Sequence, residues 1–343
     1  MSLDPILLVG GSGVVGRWTA RHLRDVHREV PLLIGGRDLE KAKQAAAEIG
    51  NAEGVALDLE AEDLGLGGRR VSALAIFFMD ETLAGLHFAQ TRRVPYVSIS
   101  SGLHEIGPDV AAYIHRPDAA PLVLATEWLV GATTIPALEF CKEFRRIDSI
   151  SIGALLDEQD VGGPAQADDL ERLTKSMPAA LARRDGAYVW RTGETAKARF
   201  RAADDTEMEA SALSPFDVVG LAAATGAKNV EFNLATGVSS SRRRGEPIST
   251  EIIIELTGED HADQPFHTRH AVIHSGGQMP PTGLGVAMLL ERLVGLDGRD
   301  PPKAGLFFPY QLLDAASYLG RFSKSGGTIR PLGLHEEEIP PRT

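Results

Sequence analysis

Residues 6–9, Ile-Leu-Leu-Val, run straight into Gly10-Gly11-Ser12-Gly13-Val14-Val15-Gly16. Val14, Val15, Trp18, Ala20 and Leu23 then recur at roughly helical spacing. No other stretch limits the fold so tightly. A buried strand, a glycine turn and an amphipathic helix, in that order, open a parallel α/β unit. Gly11, Gly13 and Gly16 fit G-x-G-x-x-G, and Gly10, Gly13 and Gly16 fit G-x-x-G-x-x-G. The early glycines allow a tight turn out of the strand. Gly13 lets backbone come close to a pyrophosphate, and Gly16 lets the helix pack closely on the strand. The helix N-terminus then turns N–H groups and the positive end of its dipole toward phosphate. With 36 glycines in the chain a lone match arises easily by chance. The flanking strand and helix are what carry the expectation of a bound nucleotide, through Gly10, Gly11, Ser12, Gly13, Val14, Val15 and Gly16.

The second strand, residues 32–34, bears on which nucleotide. A site for NAD typically ends this strand with Asp or Glu, whose carboxylate accepts from the ribose hydroxyls and would repel a 2′-phosphate. Here Gly35 and Gly36 make room and Arg37 follows. A guanidinium there can fork onto a phosphate, so the expected cofactor is NADP. The bland alternative for Arg37 is a solvated residue at the start of the next helix, with Asp38 as its N-cap in either case. A third strand at 54–57 ends at Asp58, which is expected at the adenine edge.

At 343 residues the chain is long enough for two cores, and 43 % hydrophobic residues suit a globular protein. The net charge of −12 implies no broad basic surface, so no nucleic-acid partner is expected. One cysteine, Cys141, excludes an internal disulfide and a multi-cysteine zinc site, and is expected to pack in a helix. No run is long enough to cross a bilayer and the N-terminus opens on a strand, so a cytoplasmic protein without membrane partners is expected.

Strands and helices alternate through the first ~125 residues, the pattern of a Rossmann doubly wound parallel sheet. A fourth strand is expected at 71–78, a helix at 80–92, a fifth strand at 95–99, a helix at 107–115 and a sixth strand at 122–125. Strand carboxyl ends line the crevice in such sheets. That places Phe78, Met79 and Asp80, then Ser100, Ser101 and Gly102, then Thr126 and Glu127, around the nicotinamide. From about residue 127 the pattern becomes α+β. Helices are expected at 131–143 and 165–183, and strands at 147–156 and 230–234. Segments 248–256 and 266–274 should form an antiparallel pair around Gly258-Glu259-Asp260. Helices at 282–293 and 309–319 are expected to return to the first domain. The expected division is a dinucleotide-binding domain at 1–126, an α+β substrate and dimerisation domain at 127–279, returning helices at 280–322 and a tail at 323–343, with Glu336–Glu338 and Pro340-Pro341 mobile.

With these residues in view the chain resembles the saccharopine dehydrogenase-like family of NADP-binding reductases. The resemblance rests on VGGSGVVGR at 9–17, GGRDLEKA at 35–42, VALDLE at 55–60 and VPYVSISSG at 94–102. It extends to SPFDVVGLAAATGAKNVEF at 214–232, GLGVAMLLERLVGL at 283–296 and GLFFPYQLLDAASYL at 305–319. The chain differs from the family at Phe78-Met79-Asp80-Glu81, where a Gly-Pro pair is common, and at Ser98, where an acid is common. The resemblance implies an enzyme, an NAD(P)-dependent oxidoreductase of the saccharopine reductase type. It would transfer hydride to or from a C=N or C=O carbon of a small amino-acid-derived substrate, and would form a homodimer. The differences near the reacting centre keep open an alternative, a catalytically silent NADP(H)-binding sensor or partner protein. A lipid enoyl or keto reductase would want an apolar membrane-facing helix, and none stands out.

An iminium carbon is already electrophilic and needs little help from an acid, whereas a carbonyl oxygen needs a proton donor nearby. Candidate catalytic residues are His104, Glu127 and Asp80, with Glu105 and Tyr310 as further donors. Each has a structural alternative: His104 as a surface histidine, Glu127 as an acid at a helix N-terminus, and Asp80 as an N-cap. His261, His267, His270 and His274 invite a metal reading, but their spacing on a strand pair lacks the helical pattern of a histidine zinc site, and no metal is expected. Arg242-Arg243-Arg244 could hold a substrate carboxylate; a solvated loop is the favoured reading, since charge runs usually stay in water.

Overall fold

The computed structural model describes residues 4–100, 102–172, 175 and 179–334. In chain order the first elements are β1 (Ile6–Val9), α1 (Val14–Val26), β2 (Leu32–Gly36), α2 (Leu39–Ile49), β3 (Ala52–Ala56), β4 (Ala73–Ile76), α3 (Ala84–Arg92), β5 (Tyr96–Ser98), α4 (Gly107–His115) and β6 (Pro121–Leu124). Then come α5 (Thr134–Phe140), β7 (Phe144–Asp157), α6 (Pro164–Glu171), β8 (Ala180–Arg184), β9 (Ala187–Arg191), β10 (Lys197–Arg201), β11 (Glu207–Ala212), α7 (Asp217–Thr225), β12 (Asn229–Gly237), α8 (Ser240–Arg243), β13 (Thr250–Asp260) and β14 (Pro265–His274). The chain closes with α9 (Met279–Leu293), β15 (Gly305–Phe307), α10 (Pro309–Leu312), α11 (Ala315–Lys324) and β16 (Gly327–Pro331). These elements fall into two units. One comprises the residues up to Gly131 with Gly162–Asp169 and Thr282–Asp314; the other comprises Ala132–Val161, Leu170–Pro281 and the residues from Ala315.

The first unit is a seven-stranded parallel sheet in the order β15-β6-β5-β4-β1-β2-β3. Its strands are short, and those inside the sheet are almost wholly apolar, as strands covered on both faces must be, while the edge strand β3 carries Glu53 and is largely exposed. Every residue of β1, β4 and β6 is buried. Leu7, Val9, Leu33, Leu74, Ile76 and Tyr96 from the sheet gather with Leu86 and Phe88 of α3 in one apolar cluster. The strand order reverses between β4 and β1, which is where an open α/β sheet forms its crevice. The seventh strand, β15, was not anticipated: Gly305, Leu306 and Phe307 pair in parallel with Pro121, Leu122 and Val123.

The second unit is built on a mixed nine-stranded sheet in which β7 pairs in parallel with β12 and antiparallel with β13. Ile152 faces Ile254 and Ala154 faces Ile252 across β7 and β13, and all four are buried. The β13–β14 pair forms, but Gly258, Glu259 and Asp260 belong to β13 and the turn comes after them, closed by Asp260 N–H on Gln264 O at 2.9 Å.

Four local expectations give way. The helix expected at 165–183 is α-helical over Pro164–Glu171 and gives way to a strand, β8, from Ala180. β8 and β9 form a hairpin around Asp185-Gly186, both at positive φ, which is the Asp-Gly turn signal of a two-residue hairpin. The helix expected from 80 begins at Ala84, because Leu83 takes φ +55°. The helix expected at 309–319 is broken into α10 and α11 by extended backbone at Leu313. Within the expected tail, Gly326 at φ +105° turns the chain back and β16 pairs with β14; Glu336–Glu338 and Pro340-Pro341 lie outside the described residues. Among the described residues no helix is long and apolar enough to cross a membrane.

Candidate functional site

The glycine loop between β1 and α1 is drawn in tightly by its own backbone. Gly11 N–H donates to Leu8 O at 3.0 Å, Gly13 N–H to Gly10 O at 2.9 Å, and Gly10 N–H to Gly35 O on β2 at 2.8 Å. Gly10 sits at φ +81°, a conformation that disfavours any side chain. At Gly16 close approach is the reason: a Cβ there would lie 2.6 Å from Gly11 Cα. No side chain caps α1, and its first turn carries no acid. Gly13 and Val14 are exposed, Ser12 and Val15 partly so. A helix N-terminus left open in this way suits an anion. Arg17 holds the loop from behind: its Nε donates to Ser12 O at 2.9 Å and its guanidinium pairs with Glu48.

Beside the loop, β2 ends in two glycines with different surroundings. A Cβ on Gly35 would collide with Leu57, whereas one on Gly36 would meet only Ser12 Oγ, at 4.0 Å. Arg37 is exposed and forms no ion pair among the described residues. Asp38 caps α2, accepting from Lys41 N–H at 3.1 Å. That bond is the main reason its carboxyl lies below the usual range. Asp58 is exposed two residues past β3, and its Oδ1 accepts from Glu60 N–H at 2.9 Å.

Across the switch point, β4 is followed by Phe78 and Met79, both partly buried, and by Asp80, which is 6 % exposed. Asp80 Oδ2 accepts from Gly85 N–H at 2.8 Å and Oδ1 from Thr82 Oγ1 at 3.2 Å. Its carboxylate therefore serves the N-terminus of α3. Past β5, Ser100 is buried, Ser101 lies outside the described residues, and His104 is half-buried. In the turn that carries His104, Glu105 Oε2 accepts from Gly102 N–H at 2.8 Å. Past β6, Glu127 is 3 % exposed. Tyr310 follows β15, which runs beside β6. Burial first, and the Glu127 charge second, push its hydroxyl pKa up. The candidate residues of this unit thus gather past the carboxyl ends of β1, β2, β4, β5 and β6. Tyr310 joins only because β15 forms, and the parallel run Gly-Leu-Phe-Phe at 305–308 is the sequence signal for it.

The second unit's charged motifs are occupied by one another. Arg242 pairs with Asp157 at 2.6 Å and Glu158 at 3.2 Å, Arg243 with Asp204 at 2.7 Å, and Arg244 with Glu246 at 2.9 Å. The expected solvated arginine loop is instead a set of ion pairs, because β7 and β12 end side by side and bring acids to it. Burial pushes the Asp157 carboxyl up, but hydrogen bonds from the Ser239 hydroxyl, the Gln159 and Ser239 N–H groups and Arg242 outweigh it and hold the pKa at about 2. The histidines do not converge: His261 lies against Lys142 O at 3.0 Å, and His270 stacks on Phe140 at 3.9 Å. Among the described residues no group of three or more His, Cys, Asp or Glu side chains is placed to hold a metal ion. Burial pushes the Cys141 thiol up to about 12.

No protein-family model matches the chain, and no curated protein matches it. Solved structures do match. Apo saccharopine dehydrogenase (L-Glu forming) from Saccharomyces cerevisiae is 12 % identical with a TM-score of 0.66, over 96 % of this chain and 100 % of that one. Homospermidine synthase from Legionella pneumophila, in complex with NAD, is 9 % identical with a TM-score of 0.60, over 98 % of this chain and 95 % of that one. The match runs through both sheets and nearly the whole length, and so the chain has a saccharopine dehydrogenase-like fold.

Proposed function

We propose that the protein is an NADP(H)-dependent oxidoreductase of the saccharopine reductase type, acting on a C=N or C=O carbon of a small amino-acid-derived compound. The observation that carries this reading is the open corner at the end of β2. Gly36 leaves space where an acid would exclude a 2′-phosphate, and Arg37 beside it has no ion-pair partner among the described residues. The glycine cradle fits a pyrophosphate, since side chains are barred by backbone at Gly16 and by φ at Gly10. Gly10, Gly11, Ser12, Gly13, Val14, Val15 and Gly16 would hold the phosphates. Arg37 and Asp58 would hold the adenosine, and Phe78, Met79 and Ser100 the nicotinamide half.

When bound, such a dinucleotide contributes hydride chemistry. Glu127 would stabilise a cationic iminium, and His104 would serve as a proton donor to a carbonyl oxygen. Asp80, committed to α3, supports the site by holding its loop. In this reading residues 1–126 form the nucleotide domain, and 127–279 bind substrate and a second subunit of a cytoplasmic homodimer. The Legionella structure of the same fold was solved with NAD, which supports a nicotinamide dinucleotide.

Thermal shift with each cofactor tests the reading. NADPH should raise Tm clearly more than NADH, and Arg37→Ala should abolish the difference. Equal shifts would overturn the 2′-phosphate assignment. Oxidation of NADPH with a panel of keto acids and amines then separates the enzyme from a silent NADP(H) sensor. The sensor reading gains from one observation, that Asp80 is tied up in helix capping.

A further inference from the structure

In the second unit, β8 and β9 form a hairpin beside β12, and among the described residues β9 pairs with β8 and with no other strand. The hairpin decides which backbone groups β9 turns outward. Its turn is the two residues Asp185 and Gly186, so Arg184 and Ala187 exchange hydrogen bonds, and exchanging pairs then alternate along the ladder. Ala182 with Val189 and Ala180 with Arg191 are such pairs; Arg183 with Tyr188 and Leu181 with Trp190 are not. The N–H and C=O of Tyr188 therefore point away from β8. The side chains follow the same alternation. Tyr188 and Trp190 stand on one face, 49 % and 50 % exposed, and the Arg183 guanidinium lies over the Tyr188 ring, 5.6 Å from its centre. Tyr, Trp and Arg are the side chains that dominate protein–protein contacts.

Open strand edges invite pairing with another chain, and proteins ordinarily blunt them with charge, proline or a bulge. The other two edges of this sheet are blunted. β10 carries Lys197, Arg199 and Arg201 at every second position, and β16 ends in Arg330 and Pro331. β9 is not: Ala187 to Trp190 holds no charge, proline or glycine, and its register with β8 is unbroken. Charge also selects the occupant. Two copies of β10 laid antiparallel would set three cations against three cations. Two copies of β9 would meet through uncharged residues, and the turn end of each hairpin, with Arg184 and Asp185, would come beside the far end of the other, with Glu194 and Lys197. We infer that the β9 edge is where a second copy of this chain pairs, antiparallel across a two-fold axis, so that the sheet continues through both subunits. A strand paired antiparallel with its own copy is self-complementary, as a two-fold interface must be. The outward groups of Tyr188 supply main-chain bonds, and the exposed rings pack across the seam. The inference rests on the homodimer reading above and adds where the two copies meet.

Sedimentation velocity over a range of protein concentrations tests it. The unaltered chain should sediment as a dimer. Tyr188→Lys, which puts a charge on the open edge, should raise the dimer dissociation constant roughly hundredfold or more. Tyr188→Phe should leave it within about twofold, as should Ile114→Lys at another exposed apolar site, on α4 of the first unit. An unchanged circular dichroism spectrum shows that Tyr188→Lys folds. In the unaltered chain, amide exchange at Tyr188 should slow as concentration rises through the dissociation constant. Should Tyr188→Lys fail to fold, that exchange measurement decides alone. A dimer that ignores Tyr188→Lys, or exchange at Tyr188 that does not depend on concentration, would place the subunit contact elsewhere and overturn the inference while the homodimer stands. A monomer at every concentration overturns both, and leaves the edge to an extended peptide of another protein.

Discussion

Gly35 and Gly36 stand side by side at the end of β2, yet only one is required by packing. At Gly35 the space is filled by Leu57, while at Gly36 a side chain would meet nothing closer than Ser12 Oγ at 4.0 Å. Gly36→Asp should therefore fold normally, with Tm within a few degrees of the parent, and lose NADPH affinity by roughly tenfold or more through like-charge repulsion. Titration of NADPH and NADH against that variant checks the result, and a gain in relative preference for NADH is expected. Gly16 behaves in the opposite way. A Cβ there would lie 2.6 Å from Gly11 Cα and 2.8 Å from Gly11 O. Gly16→Ala should cost about 1–3 kcal/mol by forcing α1 away from the loop, read as a lower denaturation midpoint without added ligand. Both glycines belong to motifs visible in the sequence. Which of them is bare for packing and which faces open space is a matter of neighbours brought in by β3 and the loop.

At the scale of elements, α3 begins late, at Ala84 after Leu83 in a left-handed conformation, and Asp80 reaches forward to accept from Gly85 N–H in its first turn. Asp80→Ala should cost about 1–2 kcal/mol, as the loss of a helix cap does, and should raise amide hydrogen exchange at Gly85 and its neighbours. Asp80→Asn should restore most of the loss, because its amide oxygen can accept from Gly85 N–H while its NH2 group donates to the Thr82 hydroxyl. A proton-donor role would not be rescued in that way. The elements legible in the sequence are those with a strong local signature: the apolar strands β1, β4 and β6, the amphipathic α1, and the long paired strands β13 and β14. Among those missed, which include β10, β11 and β16, two show different reasons. The β8–β9 hairpin carried its own signal in Asp185-Gly186, just past a stretch read as helical that overlaps β8. β15 is three residues long, and a strand that short is defined by the edge it joins more than by its own pattern.

In the second unit, one end of the mixed sheet is tied together by charge. Asp157 accepts from Ser239 N–H at 2.9 Å and from its hydroxyl at 2.5 Å while pairing with Arg242. Its native pKa lies below the ordinary value, so the stability it contributes is fully present above pH 3.8 and is lost as pH falls toward about 2. Asp157→Asn is expected to cost about 2 kcal/mol near neutrality, the scale of hydrogen bonds to a charged group. The gap to the parent should close between pH 3.8 and about 2. Urea denaturation across that range measures it, and a gap independent of pH would rule out the carboxylate as its source. Local sequence set the strand–glycine–helix opening, the doubly wound alternation and the presence of Arg37, because hydrophobic period and backbone freedom act over a few residues. Tertiary structure alone decided that Arg242 meets Asp157, 85 residues away in the chain, that Tyr310 arrives beside Glu127, and that Phe78 rests on Gly10. Those partners are chosen by which strands share an edge, and that choice is made by burial of the whole sheet, which no short stretch of sequence contains.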